Sequence, residues 1–288
     1  MAGELEGHFT ITVPASPKES DYNGPRSALF VSRENLLDTG FKPSEKTPHV
    51  FVTRQPEEVL DAVNENRNFG SRNDFDGIKG LENDPSRQQM IVYTLITSGD
   101  NVLLYRRASH GEGDSRLLGN ASIGFGGHTG IDDLRDIVIL EESGDSSFIE
   151  ADRHDGSLKN GITREIEEEL KVSRDQMDLK VVGAFYEEYT NEELQKMKDI
   201  PVGAVHTCII ASAELNLDVS EIHLQSDEIA TAEWVKMTEL NDKIKFLKEQ
   251  GITVENWTTI GFEEFADILE RNAEAESQNL PRIIIDES

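Results

Sequence analysis

Four glycines, at positions 124, 126, 127 and 130, fall within seven residues of the stretch RLLGNASIGFGGHTG. Each glycine inside a helix costs about 0.5–1 kcal/mol relative to alanine, and the residue frees the backbone for turns and close approach. The density therefore disfavours a regular helix and predicts a loop lying close against another group. Upstream, QMIVYTLITSGDNVLLYRR reads as two strands joined by a Ser-Gly-Asp turn, the pattern of a hairpin. Downstream, DIVILEESGDSSFIEAD alternates around a second Gly-Asp turn and predicts a hairpin over residues 136–152, after which NGITREIEEEL predicts a helix.

The rest of the chain fills in around this centre. ALFVS and HVFVT look like short strands, and PEEVLDAVNEN places proline at its start and apolar residues at helical spacing. LKVVGAFYEE, VGAVHTCIIASAEL and ATAEWVKM supply three further strand candidates, and FEEFADILERNAEAE a late helix. Strands mixed with a few helices, without a regular βαβ rhythm, predict an α/β protein of the α+β kind, a mixed sheet sandwiched between helices. At 288 residues the chain suits one large domain or one domain with extensions, since about 100–200 residues per domain is usual. The expected division is an N-terminal extension over 1–83, a core domain over 84–250 with an insertion at about 134–155, and a C-terminal helix and tail over 251–288. Within the extension, residues 1–27 are rich in Pro, Ser and charge and predict a loop or mobile arm.

Charge limits what the protein can bind. Asp and Glu number 56 against 28 Lys and Arg, a formal net charge of −28. Such a surface repels polyphosphate backbones, so sequence-independent nucleic-acid binding is not expected. A phosphate-bearing small molecule would need local Arg, Lys or metal to approach. The N-terminus lacks a basic stretch followed by a long apolar run, and no segment approaches the ~20 apolar residues of a membrane span. The expectation is a soluble cytoplasmic protein with no membrane partner. Cys208 is the single cysteine, which excludes an intramolecular disulfide and multi-cysteine zinc sites; its apolar neighbours predict a buried, inert thiol.

The helix of NGITREIEEEL then poses a choice. Leu158, Ile162, Ile166 and Leu170 form an apolar stripe at i, i+4 spacing. Glu165, Glu168 and Glu169 fall on an adjacent face, and Glu167 points away from both groups. Like charges on neighbouring turns cost an isolated helix about 0.2–0.5 kcal/mol per pair. A solvated acidic face gains nothing from that arrangement, whereas hard divalent cations turn it into a site of oxygen ligands. Arg164 stands beside the three and can orient one carboxylate.

REIEEELKV, residues 164–172, resembles the helical half of the Nudix box, G-x5-E-x7-R-E-U-x-E-E-x-G-U with U a bulky aliphatic. Arg164, Glu165, Ile166, Glu168, Glu169 and Val172 match it. The glycine half is similar as well: Gly127 is preceded by Gly126 and followed six residues later by Asp133, an acid where the box has Glu. Thirty residues separate Asp133 from Arg164 where the family has seven, and Lys171 replaces the final glycine. A longer loop is tolerable, since closure costs only ~0.6 kcal/mol per doubling of length. Lys171 implies a helix end that does not use the glycine left-handed cap. Together with YRR at 105–107 and VGAVH at 202–206, the pattern resembles a subgroup of Nudix phosphoesterases with a segment inserted inside the box, from about residue 84 to 240.

The resemblance implies a Nudix fold and hydrolysis of a nucleoside diphosphate linked to another group. It implies Mg²⁺ or Mn²⁺ held by Glu165, Glu168, Glu169 and the carbonyl of Gly126, with Arg164 orienting a carboxylate. The general base is either Glu165 or a loop acid, Asp227 or Glu228, of which Glu228 is preferred. Substrate phosphate would be met by the glycine loop at Gly127 and by Arg106, Arg107 or Arg116, at least one of which is expected to be a plain surface cation. His206 is read as a hydrogen-bonded core histidine rather than a catalytic one. The expected partner is a small nucleotide substrate, with a homodimer as an open option. Two alternatives stay open: a nucleotide-binding or regulatory module without turnover, and an isomerase on the same fold that would need a catalytic cysteine.

Overall fold

A computed structural model of the chain describes residues 27–37, 39–73, 79–109, 117–130, 133, 156–215 and 229–277. In chain order these form β1 (Ser27–Ser32), α1 (Arg33–Leu37), β2 (Lys42–Pro43), β3 (Val50–Thr53), α2 (Pro56–Asn66) and β4 (Asn68–Ser71). Next come β5 (Arg87–Ser98), β6 (Asn101–Arg107), β7 (Ala121–Ser122), β8 (Gly124–Phe125) and α3 (Gly156–Leu170). The remainder is β9 (Met177–Glu187), α4 (Asn191–Lys196), β10 (His206–Leu215), β11 (Ile229–Lys236), α5 (Leu240–Glu249) and α6 (Asn256–Ser277). The predicted hairpin over 136–152 lies outside the described residues. Among them, no helix is long and apolar enough to cross a membrane.

The strands join one sheet in the order β11-β6-β5-β10-β9-β3-β2, with β1 also paired to β5. Only the β5 and β10 pair among these is parallel, its register running from His206 opposite Gln89 to Glu214 opposite Thr97. This central pair explains why MIVYTLI shows no alternation: a strand covered on both faces reads as a continuous apolar run. Met90, Val92 and Ile96 face one layer, Tyr93 and Leu95 the other. The first layer is closed by α2 and by the α3 stripe of Leu158, Ile162, Ile166 and Leu170, each at most 1% exposed. The second is closed by α5 and α6 through Leu240, Ile244, Ile260 and Phe265. The mixed sheet between helices is thus the expected fold class. Strands β1 and β3, both from the segment before residue 84, hydrogen-bond to β5 and β9.

One expectation is corrected at the end of α3. Lys171 itself takes the left-handed conformation, φ +57, so the helix does use that cap, with lysine in glycine's place. A non-glycine residue pays about 1–2 kcal/mol for this backbone. The offset is visible: the Lys171 amide donates to Glu167 O at 3.1 Å and its ammonium to Glu168 O at 2.8 Å, where a cation also meets the negative end of the helix dipole. Val172, 1% exposed, follows into the core and anchors the exit.

Ile166→Ala should therefore destabilise the protein by about 2–5 kcal/mol, as expected for a cavity under a packed helix. Glu167→Gln, on the exposed side of the same turn, should stay within about 0.5 kcal/mol. Chemical denaturation of the two variants checks both.

Candidate active site

The site is assembled where the glycine loop meets α3. β8 pairs with β5, Phe125 opposite Thr94, and the next residue turns with φ +144. A Cβ at Gly126 would lie 2.2 Å from the carbonyl oxygen of Val92, so only glycine lets the loop run this close to the central strand. Gly127 continues the contact by accepting a hydrogen bond from Val92 N at 3.1 Å, and a Cβ on it would meet Glu165 Oε1 at 2.8 Å. The loop is thus pinned to β5 on one side and pressed against the first glutamate of the helix on the other. Leu29 N donates to Thr129 O at 2.8 Å and ties its far end to β1.

Arg164 closes the assembly. Its Nε donates to Asp133 Oδ1 at 2.8 Å, its Nη1 to Glu165 Oε1 at 2.9 Å and more weakly to Glu168 Oε2 at 3.4 Å, and its Nη2 to the carbonyl of His128 at 3.3 Å. Asp133, 31 positions away in sequence, is nearly fully buried and also accepts from Gly130 N at 2.7 Å. The insertion therefore leaves the two halves of the motif in contact. Burial works against the Arg164 charge, but the hydrogen bond to Asp133 and the carboxylates around it hold its pKa above the ordinary value. Burial pushes the Glu165 carboxyl up, and the adjacent Arg164 offsets this only in part.

The three glutamates are graded in exposure. Glu169 is 7% exposed, the Glu165 side chain 18% and the Glu168 side chain 58%, while Glu167 is exposed. Glu165 and Glu168 both accept from Arg164 Nη1, whose positive charge offsets the repulsion between them. Glu169 sits within electrostatic reach of Arg107 and Tyr105. The arginines divide differently from one another. Arg107 is half-buried and pairs with buried Glu255 at 2.6 Å, whereas Arg106 is exposed and donates to Gly119 O at 3.0 Å. Arg116, Asp227 and Glu228 lie outside the described residues. Cys208 is fully buried on β10, which pushes its thiol well above the ordinary range. It cannot reach the glycine loop as a catalytic thiolate, so the isomerase reading loses its required group.

Sequence reasoning missed a second grouping. One ligand atom from each of Glu82, His128 and His206 lies within 4.8 Å of the other two. Among the described residues it is these side chains, and not the helix glutamates, that converge so closely. His206 is buried and hydrogen-bonded as expected, but it also faces His128. The signal for His128 was in the quoted loop, directly after the glycine pair; Glu82, in an ordinary Leu-Glu-Asn turn, carried none.

No family model matches the chain. It is similar to Protein YmaB of Bacillus subtilis (strain 168), 31% identical over 159 residues, which covers 55% of this chain and 64% of that protein. The match thus spans less than two thirds of that relative's length. Among solved structures it is similar to Tm1382, provisionally described as a Nudix hydrolase, with a TM-score of 0.49 and 19% identity over 84% of this chain and 99% of that one. It is also similar to a Nudix-family hydrolase from Clostridium perfringens, with a TM-score of 0.34 and 15% identity over 64% of this chain and 99% of that one.

The Asp133 and Arg164 contact is measurable. In a double-mutant cycle, Asp133→Asn and Arg164→Gln should be non-additive by about 0.5–3 kcal/mol, the range for residues sharing one ion-pair network. Additive losses in thermal denaturation would mean that the insertion uncouples loop from helix.

Proposed function

We propose that this chain is a Nudix hydrolase that uses Mg²⁺ or Mn²⁺ to cleave the pyrophosphate bond of a nucleoside diphosphate linked to another group. The observation that carries the reading is the closure of the motif across the insertion: Arg164 joins Asp133 to Glu165 and Glu168, and Gly127 lies against the Glu165 carboxylate, where an added Cβ would stand 2.8 Å from Oε1. In this reading residues 84–250 form the catalytic unit, with the described part of the preceding segment packed on it through β1 and β3, and 251–288 a C-terminal helix and tail.

The residues fit hard divalent ions. Glu165, Glu168 and Glu169 offer carboxylate oxygens, and the loop that must be glycine at 126 lies against Glu165 at its next residue; oxygen donors of this kind suit Mg²⁺ and Mn²⁺. Glu165, Glu168, Glu169 and the Gly126 carbonyl would hold the ions, which when bound supply charge screening and an acidified water. Arg164 keeps Glu165 and Glu168 oriented. Either Glu165 or Glu228 would take the proton of the attacking water. Arg106 is the described arginine with charge to offer a phosphate, since Arg107 already neutralises Glu255; Arg116 is the further candidate. A nucleotide is an anion entering a strongly acidic protein, so local cations are what make its approach feasible.

The reading as a nucleotide-binding module without turnover draws on one observation, that Glu165 and Glu168 both bond Arg164. One experiment separates the two. Nucleotide sugars, ADP-ribose, dinucleoside polyphosphates, NADH and oxidised nucleotides are incubated with protein and Mn²⁺, or with EDTA, and the phosphate products resolved. Hydrolysis of one class, abolished by EDTA, is expected. Glu168→Gln and Glu169→Gln should each lose about 100-fold or more, the scale of removing one electrostatic contact at a reaction centre. Glu167→Gln should match the parent. Binding without products across the panel would favour the module.

The same ions should stabilise the fold. At a hundredfold excess over the dissociation constant the gain is ~2.7 kcal/mol, read as a rise in melting temperature. Glu168→Gln should lose much of that rise and Glu167→Gln none; equal rises in all three proteins would make the glutamates a solvated face.

A further inference from the structure

The cluster of Glu82, His128 and His206 is chemically unlike the glutamate helix. Two imidazoles and one carboxylate favour borderline transition ions, whereas all-oxygen sets favour Mg²⁺ and Mn²⁺. We propose that Glu82, His128 and His206 form a second metal site, selective for a Zn²⁺-type ion.

Three features of the geometry support it. His206 has its Nδ1 at 2.6 Å from the carbonyl of Val202, which fixes that nitrogen as the N–H and leaves Nε2 with a lone pair. Metal-bound histidines are almost always held this way through their second nitrogen. The Nε2 atoms of His206 and His128 face each other at 3.1 Å, and two ligands of one tetrahedral Zn²⁺, each bonded at about 2.0–2.1 Å, stand about 3.3 Å apart. The spacing suits a shared ion with hardly any movement of either ring. Glu82 Oε1 lies 3.9 Å from His206 Nε2, so a small side-chain rotation brings it to the third position. That same Oε1 accepts from Arg72 Nε at 3.0 Å and Nη2 at 2.8 Å, so ligation would either share this oxygen with the guanidinium or use Oε2.

The three side chains are delivered by separate elements. Glu82 sits in the turn Leu81–Asn83 before β5, His128 follows Gly127 and bridges to Ile91 on β5, and His206 opens β10 opposite Gln89. β5 is therefore the common support. The side chain of His206 is 1% exposed, so its Nε2 points into the protein and not at solvent. Both rings must be neutral to ligate. Arg72 adds positive charge nearby, which weakens divalent binding, while the overall charge of −28 works in the opposite direction. Three protein ligands leave the fourth tetrahedral position to water or to an anionic oxygen. The carbonyl of His128 meanwhile accepts from Arg164, so an ion here would brace the same loop that lies against Glu165.

The test uses full-length protein stripped of metal by chelation and titrated with Co²⁺ alone, a spectroscopic stand-in for Zn²⁺ whose visible absorption is strong only when tetrahedral. A saturable visible band is expected, displaced by Zn²⁺ but not by Mg²⁺. His128→Asn and Glu82→Gln should lose the band, and Glu168→Gln should keep it. Because His206 is buried, the partly exposed His128 supplies the ligand variant that keeps its fold, and circular dichroism is recorded alongside. A parent protein without the band, a band retained in His128→Asn, or a band lost in Glu168→Gln would each overturn the proposal. No turnover is measured, so the outcome is independent of whether the chain hydrolyses pyrophosphates.

Discussion

The ion pair between Arg164 and Asp133 is the contact on which the site depends. It joins two segments 31 positions apart, and through Glu165, Glu168 and the His128 carbonyl it sets the relation of loop to helix. Its worth lies between two limits. Fully exposed pairs contribute about 0–1 kcal/mol, and breaking a fully buried pair costs about 3–5 kcal/mol. Asp133 is buried at 3% side-chain exposure and Arg164 keeps 33%, so removing the arginine leaves a desolvated carboxylate while removing the acid leaves a cation still in contact with water. The two losses are therefore unequal, and the arginine is the less replaceable partner. Lysine would not substitute for it, because a single ammonium cannot reach Asp133, Glu165, Glu168 and a carbonyl from one planar fork.

The loop itself is held by the central strand. Val92 supplies both the amide that bonds Gly127 and the carbonyl that forbids a side chain at Gly126. Its own side chain is in the core beneath α3, so packing of that layer and placement of the loop are one event. This is why an acidic helix can persist at the surface of a protein with net charge −28. Burial of Leu158, Ile162, Ile166 and Leu170, each worth about 1.5–3 kcal/mol, outweighs repulsions of a few tenths of a kcal/mol among the glutamates.

Features with local causes were legible in the sequence. The α3 stripe follows from 3.6-residue periodicity, the loop from glycine density, the hairpin of β5 and β6 from its turn, and all three are found where expected. Features set by long-range register were not. His128 and His206 meet because both border β5, through Ile91 and Gln89, and no spacing along the chain encodes that. Arg107 was a candidate for substrate phosphate, yet the fold brings Glu255 to it from 148 positions away. Lys171 was misread because absence of glycine was taken to exclude the left-handed cap, whereas the ammonium reaching back to Glu168 O makes lysine workable there.

The central claim is that a hard cation sits between the glycine loop and α3. Diffraction from crystals equilibrated with Mn²⁺, recorded to locate anomalous scattering, tests it most directly. The account predicts a peak bonded to carboxylate oxygens of Glu165, Glu168 or Glu169 and to the Gly126 carbonyl, near the 2.0–2.1 Å typical of Mg²⁺ sites, or about a tenth of an ångström longer for the larger ion. A Mn²⁺-saturated crystal with no peak within reach of those oxygens would contradict it, and REIEEEL would then be an acidic surface on a well-packed helix.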